Sequence, residues 1–242
     1  MQRATWARLA MVSAAVLAAG ACKRGQETAS RTAQTADQVG AGAMGTVQYT
    51  VILRSRWTLA EHPFEYPTAG PILGPHFSGL IGASHDESYS IFAEGSLPTP
   101  GLERLSEEGK HSPLDDEIRA AAASGSVGML FETGALRDFS DSLVTTVRVD
   151  AAHPLVSLVA MVAPSPDWFT GAANVNLMEN DTWVASRTIE LNAWDSGGDD
   201  GTTYKAPDKD NNPKKPTSKA MTSHFVINGV TVPVATLTFV RK

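Results

Sequence analysis

Apolar and polar residues alternate in several short runs after residue 45, and this period of two is typical of β-strands with one buried face. The clearest run, residues 46–53, is also rich in β-branched side chains. Residues 88–92 form a weaker candidate. The pattern therefore predicts a series of half-buried strands, over residues 46–53, 88–92, 143–149, 183–191 and 234–240.

Two further segments predict strands for different reasons. Residues 155–162 are almost continuously apolar, as expected for a strand that is buried on both faces. Near the C-terminus, Asn228-Gly229 separates the short apolar stretches 224–227 and 230–232. An Asn-Gly pair between two such stretches is the strongest local signal for a β-hairpin.

Helical patterns are scarce. Residues 101–108 and 115–123 are the two candidates, and the second begins with acidic residues, which favour a helix N-terminus. Many short strands with one or two short helices in the connections predict an all-β fold. The residues alone leave an antiparallel sandwich or a barrel open.

The N-terminus has the layout of a secretory signal peptide. Arg3 and Arg8 precede an apolar run over residues 9–19, and small residues follow it. This run is too short for a membrane-spanning helix, which needs about 20 apolar residues. We therefore predict that residues 1–21 are a signal peptide and that the protein is exported.

The only cysteine, Cys22, directly follows the small residues 19–21. This arrangement resembles a bacterial lipobox, in which the thiol is acylated, and it implies a membrane-anchored lipoprotein. Lys23 and Arg24, in place of an acidic residue, imply the outer membrane of a Gram-negative host. Ala19 stands where lipoboxes usually carry Leu, so an ordinary signal peptide with soluble secretion is the alternative.

Composition divides the remainder of the chain into two parts. Residues 22–45 are polar and lack apolar periodicity, which predicts a flexible linker behind the lipidated cysteine, and residues 46–242 form one domain. A single cysteine allows no internal disulfide, so the core or a bound metal must hold this domain together. The net charge of −6 and the lack of a basic, aromatic-rich cluster argue against nucleic-acid binding.

Two acidic loops carry the candidate chemistry. Asp167 follows a rigid Pro-Ser-Pro at the end of the apolar run, and Asp195 and Asp199 lie on a glycine-rich loop that can curl. Calcium takes about six to eight oxygen ligands in proteins, so three converging carboxylates would suit one ion. Asp and Gly also dominate ordinary turns, so the residues alone leave a solvated turn as the alternative.

These acidic loops belong to a longer recognisable pattern. Residues 153–171, with Pro-Ser-Pro-Asp-Trp-Phe at 164–169, closely resemble the signature of the spondin domain, the N-terminal module of the F-spondin and mindin family. The loop 194–204 resembles the aspartate-rich loop of that family. The resemblance extends from about residue 45 to the C-terminus, with further similar segments at 57–63, 76–79 and 93–95.

The resemblance implies an antiparallel β-sandwich similar to a C2-type domain, with one bound Ca²⁺ held by Asp167, Asp195 and Asp199. Ser-Gly-Gly separates the two loop aspartates where the family has Ala-Gly-Thr. Asp200 replaces a small polar residue, so Asp200, like Glu94, is an additional candidate ligand. Animal members also carry cysteines that this chain lacks.

We therefore predict a calcium-binding lipoprotein at the cell surface or in the periplasm. We expect it to be a non-enzymatic protein that adheres to an extracellular protein or glycan and contacts the membrane through its lipid anchor. The alternative is a secreted β-sandwich hydrolase with a structural calcium, for which Glu94 and Glu132 are the only plausible acids. Six scattered histidines argue against zinc, and nothing local supports a triad of Ser165, His153 and Asp167.

Overall fold

The computed structural model of the protein describes residues 45–68, 74–135 and 142–242. The predicted signal peptide, Cys22 and most of the predicted linker lie outside the described residues. No helix within the described ranges combines the length and apolar character that crossing a membrane requires.

Two sheets form the body of the domain. The first has the strand order β10-β15-β1-β5, and the second has the order β12-β11-β7-β6-β3-β4, with β2 paired to β6. The strands of the first sheet are β1 (Val47–Ser55), β5 (Ser142–Val149), β10 (Ser186–Leu191) and β15 (Ala235–Arg241). Those of the second are β2 (His76–Phe77), β3 (Ile81–His85), β4 (Val127–Glu132), β6 (Leu155–Ala163), β7 (Trp168–Asn176), β11 (Ala193–Asp195) and β12 (Ser218–Lys219).

The remaining elements are short. Two small hairpins pair β8 (Met178–Glu179) with β9 (Thr182–Trp183), and β13 (Val226–Ile227) with β14 (Val230–Thr231). The second hairpin turns at Asn228-Gly229, as its sequence predicts. The helices are α1 (Pro100–Glu108) and α2 (Leu114–Ser124), both close to their predicted bounds.

The main core lies between the two sheets, which confirms the predicted antiparallel sandwich. Tyr49, Val51 and Leu53 alternate along β1 and are fully buried in it. From the second sheet, Leu158 and Val162 of β6 enter the same core. The period-two pattern of the sequence therefore marks the inner face of the sandwich.

A second apolar cluster explains why β6 is buried on both faces. Val159 of β6 and Phe169 of β7 pack against Leu102 and Leu105 of α1 and against Ile118 of α2. The two helices thus cover the outer face of the second sheet. This covering is what the continuous apolar run of β6 requires.

Two strand predictions need correction. Residues 88–92 are not a strand; Tyr89 packs edge-on against His85, and Ile91 and Phe92 enter the second cluster. The predicted strand 183–191 is divided, with its first residue in β9 and residues 186–191 in β10. Buried apolar residues in a turn, and two consecutive strands that belong to different sheets, both resemble one strand when read from the sequence.

Candidate metal centre

The two acidic loops converge at one end of the second sheet. Strand β11 runs antiparallel to β7, and Asp195 lies opposite Trp168 in their register. Asp167 immediately precedes Trp168, so this pairing places the two aspartates at the adjoining ends of two neighbouring strands. The Ser196 N–H also donates to the Asp167 carbonyl over 3.2 Å, which fixes the turn after β11 against the turn before β7.

The Asp167 carboxylate is the centre around which the second loop folds. Asp167 is fully buried, and its Oδ2 accepts four hydrogen bonds of 2.9–3.1 Å, from the Ser196 hydroxyl and from the N–H groups of Gly197, Gly198 and Asp199. Three successive N–H groups directed at one oxygen form an anion-binding concavity. The loop therefore takes its shape from a side chain that lies about 30 residues earlier in the chain.

The opposite side of the same loop is held by residues from the long connection that follows it. The Asn211 amide donates to the carbonyls of Gly197 (3.1 Å) and Asp199 (2.7 Å). The Lys215 N–H donates to the Gly197 carbonyl over 2.9 Å. Gly197 has a φ of 85°, a conformation that favours glycine. Backbone carbonyls and carboxylates together give this region an oxygen-rich surface.

Asp195 and Asp199 use their carboxylates differently. Asp195 is half-buried, and its Oδ1 accepts from the Gly197 N–H (2.9 Å), the same group that donates to Asp167. Asp199 is buried; its Oδ1 accepts from Gly201 N–H (2.6 Å) and its Oδ2 from Lys209 N–H. Each carboxylate oxygen can accept more than one bond, so these contacts leave ligand positions for a cation.

Burial raises the pKa of both Asp167 and Asp195. For Asp195, desolvation and then repulsion from the Asp167 charge raise the pKa to about 6, opposed more weakly by the Gly197 N–H and by Lys215. For Asp167, desolvation outweighs the hydrogen bonds that the loop supplies. Two neighbouring carboxylates that are both hard to ionise form a site that a divalent cation would stabilise.

The fit to calcium rests on one atom above all. Asp167 Oδ1 is buried and has no hydrogen-bond partner among the described residues, although most buried polar atoms have one. A hard cation, which prefers carboxylate oxygens as ligands, would supply the missing partner of this atom. The Ca²⁺ assignment to Asp167, Asp195 and Asp199 therefore suits the residues present, and it stays a prediction.

The three aspartates do not form the tightest acidic group. Among the described residues, one trio alone has candidate ligand atoms that all lie within 4.8 Å of one another: Glu103 and Glu107 of α1 with Asp210. Lys214 Nζ lies 2.6 Å from Glu103 Oε1 and 3.7 Å from Asp210 Oδ1, so a lysine ammonium already pairs with two of the three carboxylates. We do not assign a metal to it.

The other candidate ligands are engaged or placed elsewhere. The Asp200 carboxylate pairs with the Lys209 ammonium at the surface. Glu94 lines a separate groove together with Trp194.

The described residues do not assemble the hydrolase triad considered above. Ser165 Oγ bonds to the Trp168 backbone, whereas His153 lies between Asp150 Oδ1 (3.0 Å) and the Gly125 carbonyl (3.0 Å). A different pair, His85 Nε2 and Ser157 Oγ, lies 2.7 Å apart and was not predicted. Both side chains are fully buried, so this pair connects β3 to β6 and is not exposed to substrate.

Comparison with known proteins identifies the family of this chain. A sequence model of the Spondin_N family matches residues 47–227. The chain is 31% identical to Spondin-2 of Homo sapiens over 166 residues, which cover 68% of this chain and 50% of that protein. It is 29% identical to Spondin-1 of Rattus norvegicus over 182 residues, which cover 72% of this chain and 22% of that protein.

The chain therefore spans at most about half the length of these two relatives. The matched region contains the second sheet, the strands β1, β5 and β10 of the first sheet, both helices and the two acidic loops, whereas β15 lies beyond it. It also contains the turn before β7 and the loop after β11 that surround Asp167. On this basis the chain belongs to the spondin N-terminal domain family.

Proposed function

We propose that this chain is an exported, calcium-binding module that attaches to an extracellular protein or glycan and catalyses no reaction. The observation that carries the proposal is the buried, unpartnered Oδ1 of Asp167 beside the crowded carboxylate of Asp195. Membership in the spondin family supports it.

The role we propose for calcium is structural. Asp167 belongs to the turn before β7, whereas Asp195 is the last residue of β11 and Asp199 belongs to the loop that follows it. An ion bound between these carboxylates would join the two segments and offset the repulsion between Asp195 and Asp167. The loops at this end of the sandwich would then form an ordered contact surface.

Calcium is expected to stabilise the purified domain through Asp195. At free Ca²⁺ of about 100 times Kd, a single site adds about 2.7 kcal/mol to the free energy of unfolding. Asp195→Ala is expected to remove most of this gain, because it deletes a ligand and leaves the four bonds to Asp167 Oδ2 in place. Thermal unfolding with calcium and with chelator measures the effect.

The matched control for that measurement is Asp208→Ala. Asp208 is exposed on the long loop that also carries Asn211, and its substitution changes the net charge by the same amount. This variant should keep the calcium response of the unsubstituted domain. An unchanged melting temperature with and without calcium in the unsubstituted domain would contradict the calcium proposal.

Attachment to the membrane is the second part of the proposal, and Cys22 is the residue that would carry the lipid. In a Gram-negative host supplied with labelled palmitate, the chain is expected to take up label and to fractionate with the outer membrane. Cys22→Ser should abolish the label and release the protein. Stable anchoring needs about two acyl chains, and the variant has no thiol to which the lipid can be attached. A soluble, unlabelled chain with intact Cys22 would support secretion without lipidation.

A further inference from the structure

A groove separate from the metal centre lies beside the second half of β7. Its volume is about 410 Å³, within the range of roughly 300–1,000 Å³ common for small-ligand sites. The strand segment 171–175 forms one side, residues 189–192 at the end of β10 form another, and Phe92 and Trp194 contribute aromatic surface. These two rings contact each other edge-to-face, with centroids 5.2 Å apart.

Three polar side chains that line this groove are free. Glu94, Asn174 and Asn192 have no side-chain hydrogen bond or ion pair with any residue in the described ranges. By contrast, the fourth polar group, Glu190, is paired with Arg56 at 2.6 Å. One carboxylate and two amides are thus available to a ligand, above a surface of small residues such as Ala172 and Ala173.

The backbone of β7 is irregular at the groove. The register between β6 and β7 shifts between Val156 and Leu158, where β7 contains one extra residue, and Asn174 has a φ of 57°. Bulges are frequent next to functional sites, where they redirect a side chain. A left-handed residue other than glycine is also a reason to look for function. Here the bulge coincides with a free amide that lines the groove.

The charge and the strand edges restrict what this groove can accept. Its lining contains carboxylates and no lysine or arginine, so an anionic ligand is disfavoured. Addition of a peptide strand needs a regular, open edge. The bulge interrupts the edge of β7, and the Glu190–Arg56 pair places charges on the edge of β10.

We propose that this groove binds a neutral oligosaccharide. Sugar rings present apolar C–H faces that pack on aromatic and small side chains. Their neighbouring hydroxyl groups pair with planar carboxylate and amide groups, which Glu94, Asn174 and Asn192 supply. This inference deepens the binding function proposed above, since it names the ligand class and its site, and it does not depend on calcium.

The experiment uses defined neutral tetrasaccharides of glucose, mannose, galactose and N-acetylglucosamine as probes. Binding to the full chain is measured by titration calorimetry and by tryptophan fluorescence, because Trp194 lines the groove. At least one probe is expected to bind. Glu94→Gln and Asn174→Gly should each weaken binding about tenfold or more, as expected for loss of a hydrogen bond from a ligand. Glycine at 174 keeps the positive φ, so this variant removes the amide without straining the strand.

Glu87→Gln is the control, because Glu87 is exposed outside the groove and the substitution makes the same change in charge. It should leave binding unchanged. The groove proposal is overturned if no probe binds, if binding survives both groove substitutions, or if an extended basic peptide binds there instead. If the groove proposal fails in one of these ways, a positive calcium titration in the same samples would show that the calcium proposal still stands. Cleavage of a bound probe would overturn only the assignment of the protein as a non-enzyme.

Discussion

Asp167→Ala is expected to destabilise the domain by about 3–5 kcal/mol, both with calcium and with chelator. The substitution removes the oxygen that accepts from Ser196, Gly197, Gly198 and Asp199, and it leaves buried donors without a partner. It also opens space at a fully buried position. Urea unfolding of the domain, compared with the unsubstituted chain, measures the loss.

Asp167→Asn separates the two tasks that we assign to this carboxylate. The amide oxygen of asparagine can still accept from the N–H groups of the loop, so the calcium-free stability should stay near or above that of the unsubstituted domain. Loss of the buried charge favours this result, since burial already raises the pKa of Asp167. The variant should fail to respond to calcium. A calcium response of undiminished size in Asp167→Asn would contradict the assignment of the Asp167 carboxylate as a ligand.

The predictability of the fold depends on how local its signals are. The alternation in β1 and β15, the continuous apolar run of β6 and the Asn-Gly hairpin all act within a few residues, and all four were predicted. Strand β3 was missed because it contains Gly82, Ser84 and His85. The buried His85 is tolerated because its ring bonds to Ser157 on another strand. Such a partner is invisible to a local pattern.

The same distinction between local and distant signals applies to the candidate site. The three aspartates could be named from the sequence, because Pro-Ser-Pro-Asp-Trp and the glycine-rich acidic loop are compact motifs. The contacts that hold these aspartates in place could not be predicted, because Asn211 and Lys215 reach the loop from the connection that follows it. The groove was missed for a similar reason.

Glu94 looked like an isolated acid in the sequence. Its neighbours Asn174 and Trp194 reach the groove from β7 and β11, which follow it by about 80 and 100 residues. The bulge at Asn174 also has no glycine or proline to mark it. Sites assembled from distant strands therefore depend on the register of the sheet, which the sequence pattern did not supply.

Gly197→Ala is expected to be the most damaging substitution in the loop that does not alter a charge. A Cβ at this position would lie 2.1 Å from the Lys215 carbonyl oxygen, and the φ of 85° is itself strained for alanine. The loop would have to move away from the connection that holds it, and the Gly197 N–H would leave Asp167. We expect a loss of about 3 kcal/mol or more in the free energy of unfolding and a much weaker calcium response.

Gly229→Ala is the matched control, because it introduces the same backbone strain without a close contact for the added Cβ. Gly229 has a similar φ of 79°, but a Cβ there would meet nothing within 4 Å. Its replacement should therefore cost only about 1–2 kcal/mol and leave the calcium response intact. Equal losses in the two variants would mean that positive φ alone accounts for the effect. A larger loss for Gly197→Ala, together with a weakened calcium response, would show that the contact with Lys215 holds the loop around Asp167.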